Sequence, residues 1–404
     1  MQRERIAVTG MGIVSALGGG LAATWDGLDA GRSGLGALSL FESPRCAHFP
    51  VGEVREELSR SEADAQLSRS DLLARYAGEQ AWEHAGFEAL SPELGRRCGL
   101  VLGGCTGGML RSESFLRERV RTGRGRPGAG ERHEICRVTE LLAHELGLEG
   151  GFRSTVSTAC TSGTMAIATA CDVLRSGSSE RILAGGCDSL TRLTLHGFAS
   201  LLVMAPDGCR PFDAERRGMS LGEGAAFLAL EKESAARARG VSIHGFIEGW
   251  GISCDAHHAT APKADGSGPR KAIERALEMA GLRPGQVDYI NAHGTGTKDN
   301  DIAEARAFAG LFGETMPAIS STKRYFGHSL AAAGAIEAVV CLLALAKQRA
   351  PGTLGLREPD PELGIAPLRE AQSRHLRIAL NCSLGFGGGN TAMLFSHPDF
   401  EAGR

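Results

Sequence analysis

Short runs of apolar, β-forming residues alternate along this chain with longer stretches whose apolar positions recur every three and four residues. The runs "RIAVTG", "CGLVLGG", "RILAGG", "AAFLALE", "IHGFIEGWGI", "VDYINAH", "AISST" and "RIALNCSLGF" read as strands; residues 70 to 86, 138 to 146, 161 to 176, 270 to 281, 301 to 311 and 331 to 348 read as helices. Such alternation restricts the chain to an α/β layered fold with mainly parallel strands. Two runs, "CGLVLGGCTGG" and "VDYINAHGTGT", each pass from an apolar strand into a Gly/Thr loop, and "RILAGGCDS" resembles "RIALNCSLGFGGG" in the same sense. The echo points to two similar α/β halves, 1–236 and 237–404, joined near residues 232 to 242.

At 404 residues and 42% hydrophobic, the chain is long enough for two core-bearing units. A net charge of −3 argues against nucleic acid or a membrane surface as the partner, because such binders carry a strong basic balance. The apolar start "IAVTGMGIVSALGGG" is broken by Gly10, Gly12 and Gly18, so it reads as strand and turn rather than as a signal peptide or membrane span. Eleven cysteines without regular close pairing point to reduced thiols and a cytoplasmic location, and the absence of C-x-x-C spacing argues against a structural metal site. The arginine-rich, glycine-broken stretch 117 to 132 reads as an exposed mobile loop.

One cysteine stands apart. In "STVSTACTSGTMAIATACDVLRSG", Cys160 sits where a β-rich run ends and a helix begins, followed by Thr161, Ser162 and Gly163. Small residues allow a sharp strand-to-helix corner there, and a helix amino terminus favours thiolate. Cys98, Cys171, Cys187 and Cys341 lie within apolar runs and read as packed structural thiols. His293, in "NAHGTGTKDND", and His328, in "STKRYFGHSLAAAGAIEAV", both lie in loops that feed helices, where α/β proteins build sites; His133 and His375 have no such setting and read as surface residues. The run "GFGGGN", 385 to 390, lacks a P-loop lysine and a dinucleotide fingerprint, so its expected use is to bring backbone N–H groups close to a reacting oxygen.

These segments, with "RPFDAERRGMSLGEGAAFLALE" and the opening "VTGMGIVSALG", resemble the β-ketoacyl-[acyl carrier protein] synthases of the II type, which belong to the thiolase-like condensing enzymes. The likeness runs from about residue 5 to 396 in family order. It implies a thiolase-like fold with layers α-β-α-β-α, and an acyltransferase that carries out a decarboxylating Claisen condensation. By this resemblance Cys160 is the acyl-accepting nucleophile, while His293 and His328 assist malonyl decarboxylation and stabilise the enolate. Lys323 and Glu337 match an ordering ion pair, and the N–H groups of Cys160 and Phe386 an oxyanion hole. Thr295 and Thr297 match hydroxyls that guide the phosphopantetheine arm; Gly385, Gly387 and Gly388 join them as substrate-binding residues. Phe386 also matches a gate, with "HHATAPKADGSG" as a second mobile loop beside it. Thr106 falls where fatty-acid enzymes place a bulky aliphatic at the acyl-pocket floor, and Leu384 replaces an aromatic before the gate.

The resemblance implies no cofactor or metal beyond the carrier-borne phosphopantetheine. The expected partners are an acidic acyl carrier protein, docked through Arg117 to Arg132, and a second subunit in a homodimer or in a heterodimer with a chain-length-factor-like homologue. Two other readings stay open: a coenzyme A-dependent thiolase with Cys382 as its second cysteine, and a silent partner subunit.

Overall fold

The computed structural model describes residues 4–87, 92–124, 132–148 and 150–401. Among the described residues ten strands form the scaffold, five from each half. In the first half the order is Phe152–Val156, Cys98–Gly103, Arg181–Asp188, Gly224–Lys232, Ile6–Ser15; in the second it is Ala318–Ser320, Tyr289–Asn291, Ile378–Gly385, Gly389–Ser396, Gly245–Cys254. Each half has two parallel pairings at its outer edge and two antiparallel pairings toward the centre. The halves meet where Ile6, Ala7 and Val8 pair with Ile247, Phe246 and Gly245.

Both faces of each half-sheet are covered, which is why its strands read as continuous apolar runs. Along Gly224–Lys232, Ala225, Phe227 and Ala229 face an outer layer made by helices Arg69–His84 and Cys136–Glu145, whereas Ala226, Leu228 and Leu230 face a central layer. Helices Ser162–Ser176 and Ala333–Lys347 fill that central layer, and Ser267–Ala280 with Lys298–Phe312 cover the far side. The five layers alternate α-β-α-β-α.

Close helix–sheet contact explains two glycine pairs. A Cβ at Gly10 or Gly12 would overlap the carbonyls of Ala81 and Ala77, and one at Gly249 or Gly251 those of Ala276 and Ala272. The same device therefore serves both halves. Helix Arg69–His84 begins in a capping box, with Ser68 accepting from Asp71 N–H. Leu330–Lys347 is long and apolar enough to cross a membrane, but 89% of that stretch is buried, as a helix between two sheets must be.

Several expectations need correction. The β-rich run ahead of Cys160 is the strand Phe152–Val156, as expected, whereas Gly389–Ser396 is a strand that residue preference did not mark. Most of the arginine-rich stretch that falls on described residues is not a loop: Met109–Thr122 is a helix ended by Gly123 at φ 69°, and residues 125–131 lie outside the described residues. Helix Arg192–Ser200 also went unmarked.

Candidate active site

Cys160 occupies the corner between strand Phe152–Val156 and helix Ser162–Ser176. The corner is tight. Ala159, just before it, holds a left-handed φ of 54°, a strained conformation for a residue with a Cβ. Ser162 fixes the bend, since its Oγ accepts from Thr158 N–H at 2.9 Å and donates to Ala159 O at 2.6 Å. Behind it the two central helices approach closely: a Cβ on Gly163 would lie 2.6 Å from Ala331 O. That approach brings the loop before Ala333–Lys347, and with it His328, onto the sulfur.

His328 Nε2 lies 3.0 Å from Cys160 Sγ. Its backbone is held by Ser220 O, which accepts its N–H at 2.7 Å, and by Gly222 N–H at 3.0 Å. The His293 ring stands edge-on to that of His328, with centroids 5.1 Å apart and planes at 86°. Burial and the nearby Lys323 charge push both imidazoles well below their ordinary range, so both are neutral. Lys323 Nζ donates to His293 O at 2.9 Å, stands 3.4 Å from His293 Nδ1 and is ion-paired with Glu337. A lysine has only protons to offer, so His293 keeps its own proton on Nε2. His328 Nδ1 is buried without a partner, so no second hydrogen bond locks that ring's tautomer.

The thiol departs from expectation. Burial pushes Cys160 up to about 12, against Lys323 and the N–H groups of Phe386 and Cys160 itself, which pull the other way. Desolvation outweighs these contributions and favours the neutral thiol. The N–H groups of Cys160 and Phe386 that reach the sulfur are also the pair expected to hold a thioester oxygen.

Cys160, His293, His328, Thr295, Thr297, Gly385 and Phe386 all line one cavity of ≈130 Å³, together with Phe198, Leu201, Val203, Met219 and Leu384. Thr295 and Thr297 hydroxyls lie 2.9 Å apart at its polar side. Phe386 stacks on Phe198, with centroids 5.4 Å apart and planes at 29°. Lys323 and Glu337 sit behind the histidines, each 2% exposed.

Four residues named from the sequence, Thr106, Gly387, Gly388 and Cys382, are placed elsewhere. Thr106 does not line this cavity; its N–H and hydroxyl are spent on Asp188 Oδ1, at 2.7 and 2.9 Å. Gly387 and Gly388 do not line it either. Their N–H groups bond Ala259 O and Gly385 O, at 2.7 and 3.1 Å, so these glycines, with φ of 86° and 80°, shape the turn rather than meet a reacting oxygen. Cys382 is buried outside the cavity, which removes the proposed second thiol. Among the described residues no group of three or more His, Cys, Asp or Glu could hold a metal.

Sequence reasoning missed two organising acids. Glu304, fully buried one turn into helix Lys298–Phe312, accepts from His293 N–H at 2.6 Å and Gly294 N–H at 2.8 Å. Asp188 accepts from Cys105 N–H, Thr106 and Ala331 N–H, tying the nucleophile half to the His328 loop. The only local signal was an acidic residue ending an apolar run or following the His-Gly-Thr loop.

Known proteins resemble this chain over nearly its whole length. Residues 3–236 match the family model for the Beta-ketoacyl synthase N-terminal domain and residues 244–357 that for its C-terminal domain. The 3-oxoacyl-[acyl-carrier-protein] synthase 2 of Synechocystis sp. is 36% identical, with 98% of each chain covered. The putative polyketide beta-ketoacyl synthase 1 of Streptomyces halstedii is also 36% identical, covering 98% of this chain and 99% of that one. Among solved structures, the ishigamide ketosynthase/chain length factor superposes with a TM-score of 0.92 at 33% identity, covering 98% of this chain and all of that one. A type II polyketide ketosynthase in complex with its acyl-carrier protein gives 0.89 at 28% identity, covering 98% and 100%. With its thiol and two neutral imidazoles converging beneath the stacked rings of Phe198 and Phe386, the chain belongs to the β-ketoacyl synthase family of thiolase-like condensing enzymes.

Proposed function

We propose that this protein elongates a carrier-bound acyl chain by decarboxylative condensation with a malonyl-carrier thioester, and that Cys160, His293 and His328 perform the chemistry. The single observation that carries the reading is the Cys160 Sγ to His328 Nε2 contact of 3.0 Å with a second neutral imidazole beside it.

In the first half-reaction Cys160 attacks the acyl thioester as His328 Nε2 takes the S–H proton. A neutral thiol needs such a base at the moment of attack. The carbonyl oxygen gathers negative charge between the N–H groups of Cys160 and Phe386, and the carrier thiol leaves with the proton. In the second half the malonyl C–CO₂ bond breaks, and its electron pair forms an enolate whose oxygen accepts from His293 Nε2–H. His328, its tautomer unlocked, can present Nε2–H to the same oxygen. The enolate carbon then attacks the Cys160 thioester, the C–S bond breaks, and the released sulfur recovers a proton from solvent. Lys323 and Glu337 order His293 rather than exchange protons with substrate.

For partners, we propose an acyl carrier protein whose phosphopantetheine passes Thr295 and Thr297. Arg117, Arg119 and Arg121, exposed on helix Met109–Thr122, remain candidate docking charges. A two-fold dimer through the edge strand Phe152–Val156 is supported by the position of that strand at the sheet edge and by exposed Phe152. The likeness to a ketosynthase/chain length factor favours a heterodimer as the second reading, and expression with and without a neighbouring homologue separates the two. Eleven free cysteines support a reducing, cytoplasmic setting. No metal or organic cofactor is needed by this chemistry.

The test is mass spectrometry of Cys160 after incubation with acyl carriers, followed by malonyl carrier. The wild type should carry an acyl adduct and release a β-ketoacyl carrier with CO₂, and Cys160→Ala should do neither acylation nor condensation while keeping its fold. Condensation at full rate by Cys160→Ala would end the proposal.

A further inference from the structure

Helix Arg192–Ser200 walls the cavity, yet burial alone does not hold it. Leu195 is the one buried residue among its nine. Polar contacts fix it instead. Thr191 caps its start, accepting from Thr194 N–H at 3.1 Å, and the Glu113 carboxylate accepts from Arg192 and Leu193 N–H at 3.0 and 2.7 Å. In mid-helix, His196 is gripped on both sides of its ring. Ser43 Oγ lies 3.2 Å from Nε2, and Cys46 Sγ lies 3.5 Å from Nδ1.

Ser43 and Cys46 are buried and belong to one turn, closed by Cys46 N–H on Ser43 O at 3.0 Å. The segment continues to Gly52, whose N–H donates to Leu221 O at 2.8 Å, and Leu221 is in bridge register with His328. The turn is therefore anchored to the frame that carries the catalytic loop. Two residues along an α-helix rotate a side chain by about 200°, so Phe198 faces away from His196. It faces Phe386, on which it stacks. The helix is thus clamped between a fixed polar turn and the aromatic gate.

We infer that His196 is a positioning residue for the acyl pocket: through Ser43 and Cys46 it stops helix Arg192–Ser200 from rolling, keeps Phe198 against Phe386, and so sets how often Cys160 is uncovered. The inference deepens the proposed function, but its test reads thiol access and needs no condensing activity. A failure of condensation therefore leaves it intact, and its own failure leaves condensation intact.

The experiment is iodoacetamide labelling of the full chain, with the rate followed at each cysteine by mass spectrometry. Losing two neutral hydrogen bonds shifts an opening equilibrium enough that His196→Ala should label Cys160 about fivefold faster than wild type. Core thiols Cys171 and Cys341 and exposed Cys136 serve as controls and should keep their rates. His196→Gln, whose amide can still reach Ser43, should fall between the two. Unchanged labelling of Cys160, or an equal rise at Cys171 and Cys341, would overturn the inference. If His196→Ala does not fold, Ser43→Ala removes one side of the grip from outside the helix. A rise at Cys160 alone is expected there, and no rise overturns the inference.

Discussion

Removing the charge from Glu337 while leaving Lys323 in place tests whether the buried pair is there for stability or for orientation. Both side chains are 2% exposed, and Lys323 reaches Glu337, His293 O and His293 Nδ1 from one ammonium. At ~4 Å and an effective dielectric constant of ~20, opposite unit charges attract by about 4 kcal/mol, which offsets the cost of burying them. Burial holds Glu337 up at about 7 even against the pull of the Lys323 charge, so the carboxylate depends on its partner to stay ionised. Glu337→Gln leaves an uncompensated buried ammonium and should cost about 3–5 kcal/mol. For a domain of this size, with ~2 cal/mol/K of unfolding entropy per residue, that is a fall in Tm of about 4–6 °C. The double variant Lys323→Met/Glu337→Leu removes both charges and should recover most of the lost stability. Its His293, no longer fixed at Nδ1, should still lose malonyl decarboxylation by about 10²-fold, the order expected when a positioned donor is misplaced. Scanning calorimetry and CO₂ release measure the two effects separately. A double variant that decarboxylates like wild type would refute the orienting role; a Glu337→Gln variant within ~0.5 kcal/mol of wild type would refute the electrostatic argument.

Glu304 governs a pH dependence. Burial pushes its carboxyl up to about 8 in spite of two backbone N–H donors. The folded state therefore holds a proton that the unfolded chain has released, and this contribution is full below the unfolded value near 4.5 and lost as pH rises through 8. Tm should accordingly fall as pH rises from about 4.5 to about 8, and Glu304→Gln should flatten that fall; an unaltered slope would exclude this carboxyl as its source. Gly163→Ala places a methyl 2.6 Å from Ala331 O, against backbone that cannot turn aside. Denaturant unfolding should show a loss of about 1–3 kcal/mol, with slower acylation of Cys160 as His328 is pushed off the sulfur.

How much of this was legible follows from where each signal resides. Strands Arg181–Asp188 and Gly224–Lys232 are buried on both faces, so their apolar runs announced them. Phe152–Val156 lies at a sheet edge with exposed Phe152 and Arg153, so only its β-forming residues marked it and not a continuous apolar run. Gly389–Ser396 opens on the glycine-rich turn, which hid the strand behind it. Cys160, His293 and His328 could be found because each stands at a corner between elements, a local property. The role of Glu304 depends on His293 eleven residues earlier, and that of Asp188 on Ala331, 143 residues away. Thr106 misled because its position in a Gly/Thr loop is the same whether its hydroxyl faces a cavity or a buried carboxylate.

The duplicated scaffold also accounts for why the reacting groups meet. Cys160 lies between strand Phe152–Val156 and helix Ser162–Ser176; His328 lies between the equivalent strand Ala318–Ser320 and the equivalent helix Ala333–Lys347. Because those helices pack on each other in the central layer, the same corner from the two halves must come together, and their side chains stand 3.0 Å apart. The loops after Cys98–Gly103 and Tyr289–Asn291 are likewise equivalent, but one gives Thr106 to Asp188 while the other gives His293 to the cavity. The first half supplies the nucleophile and a structural acid, and the second supplies both imidazoles and the ion pair that holds one of them. Under the proposed mechanism these equivalent corners serve as acyl acceptor and base, and neither half holds both groups.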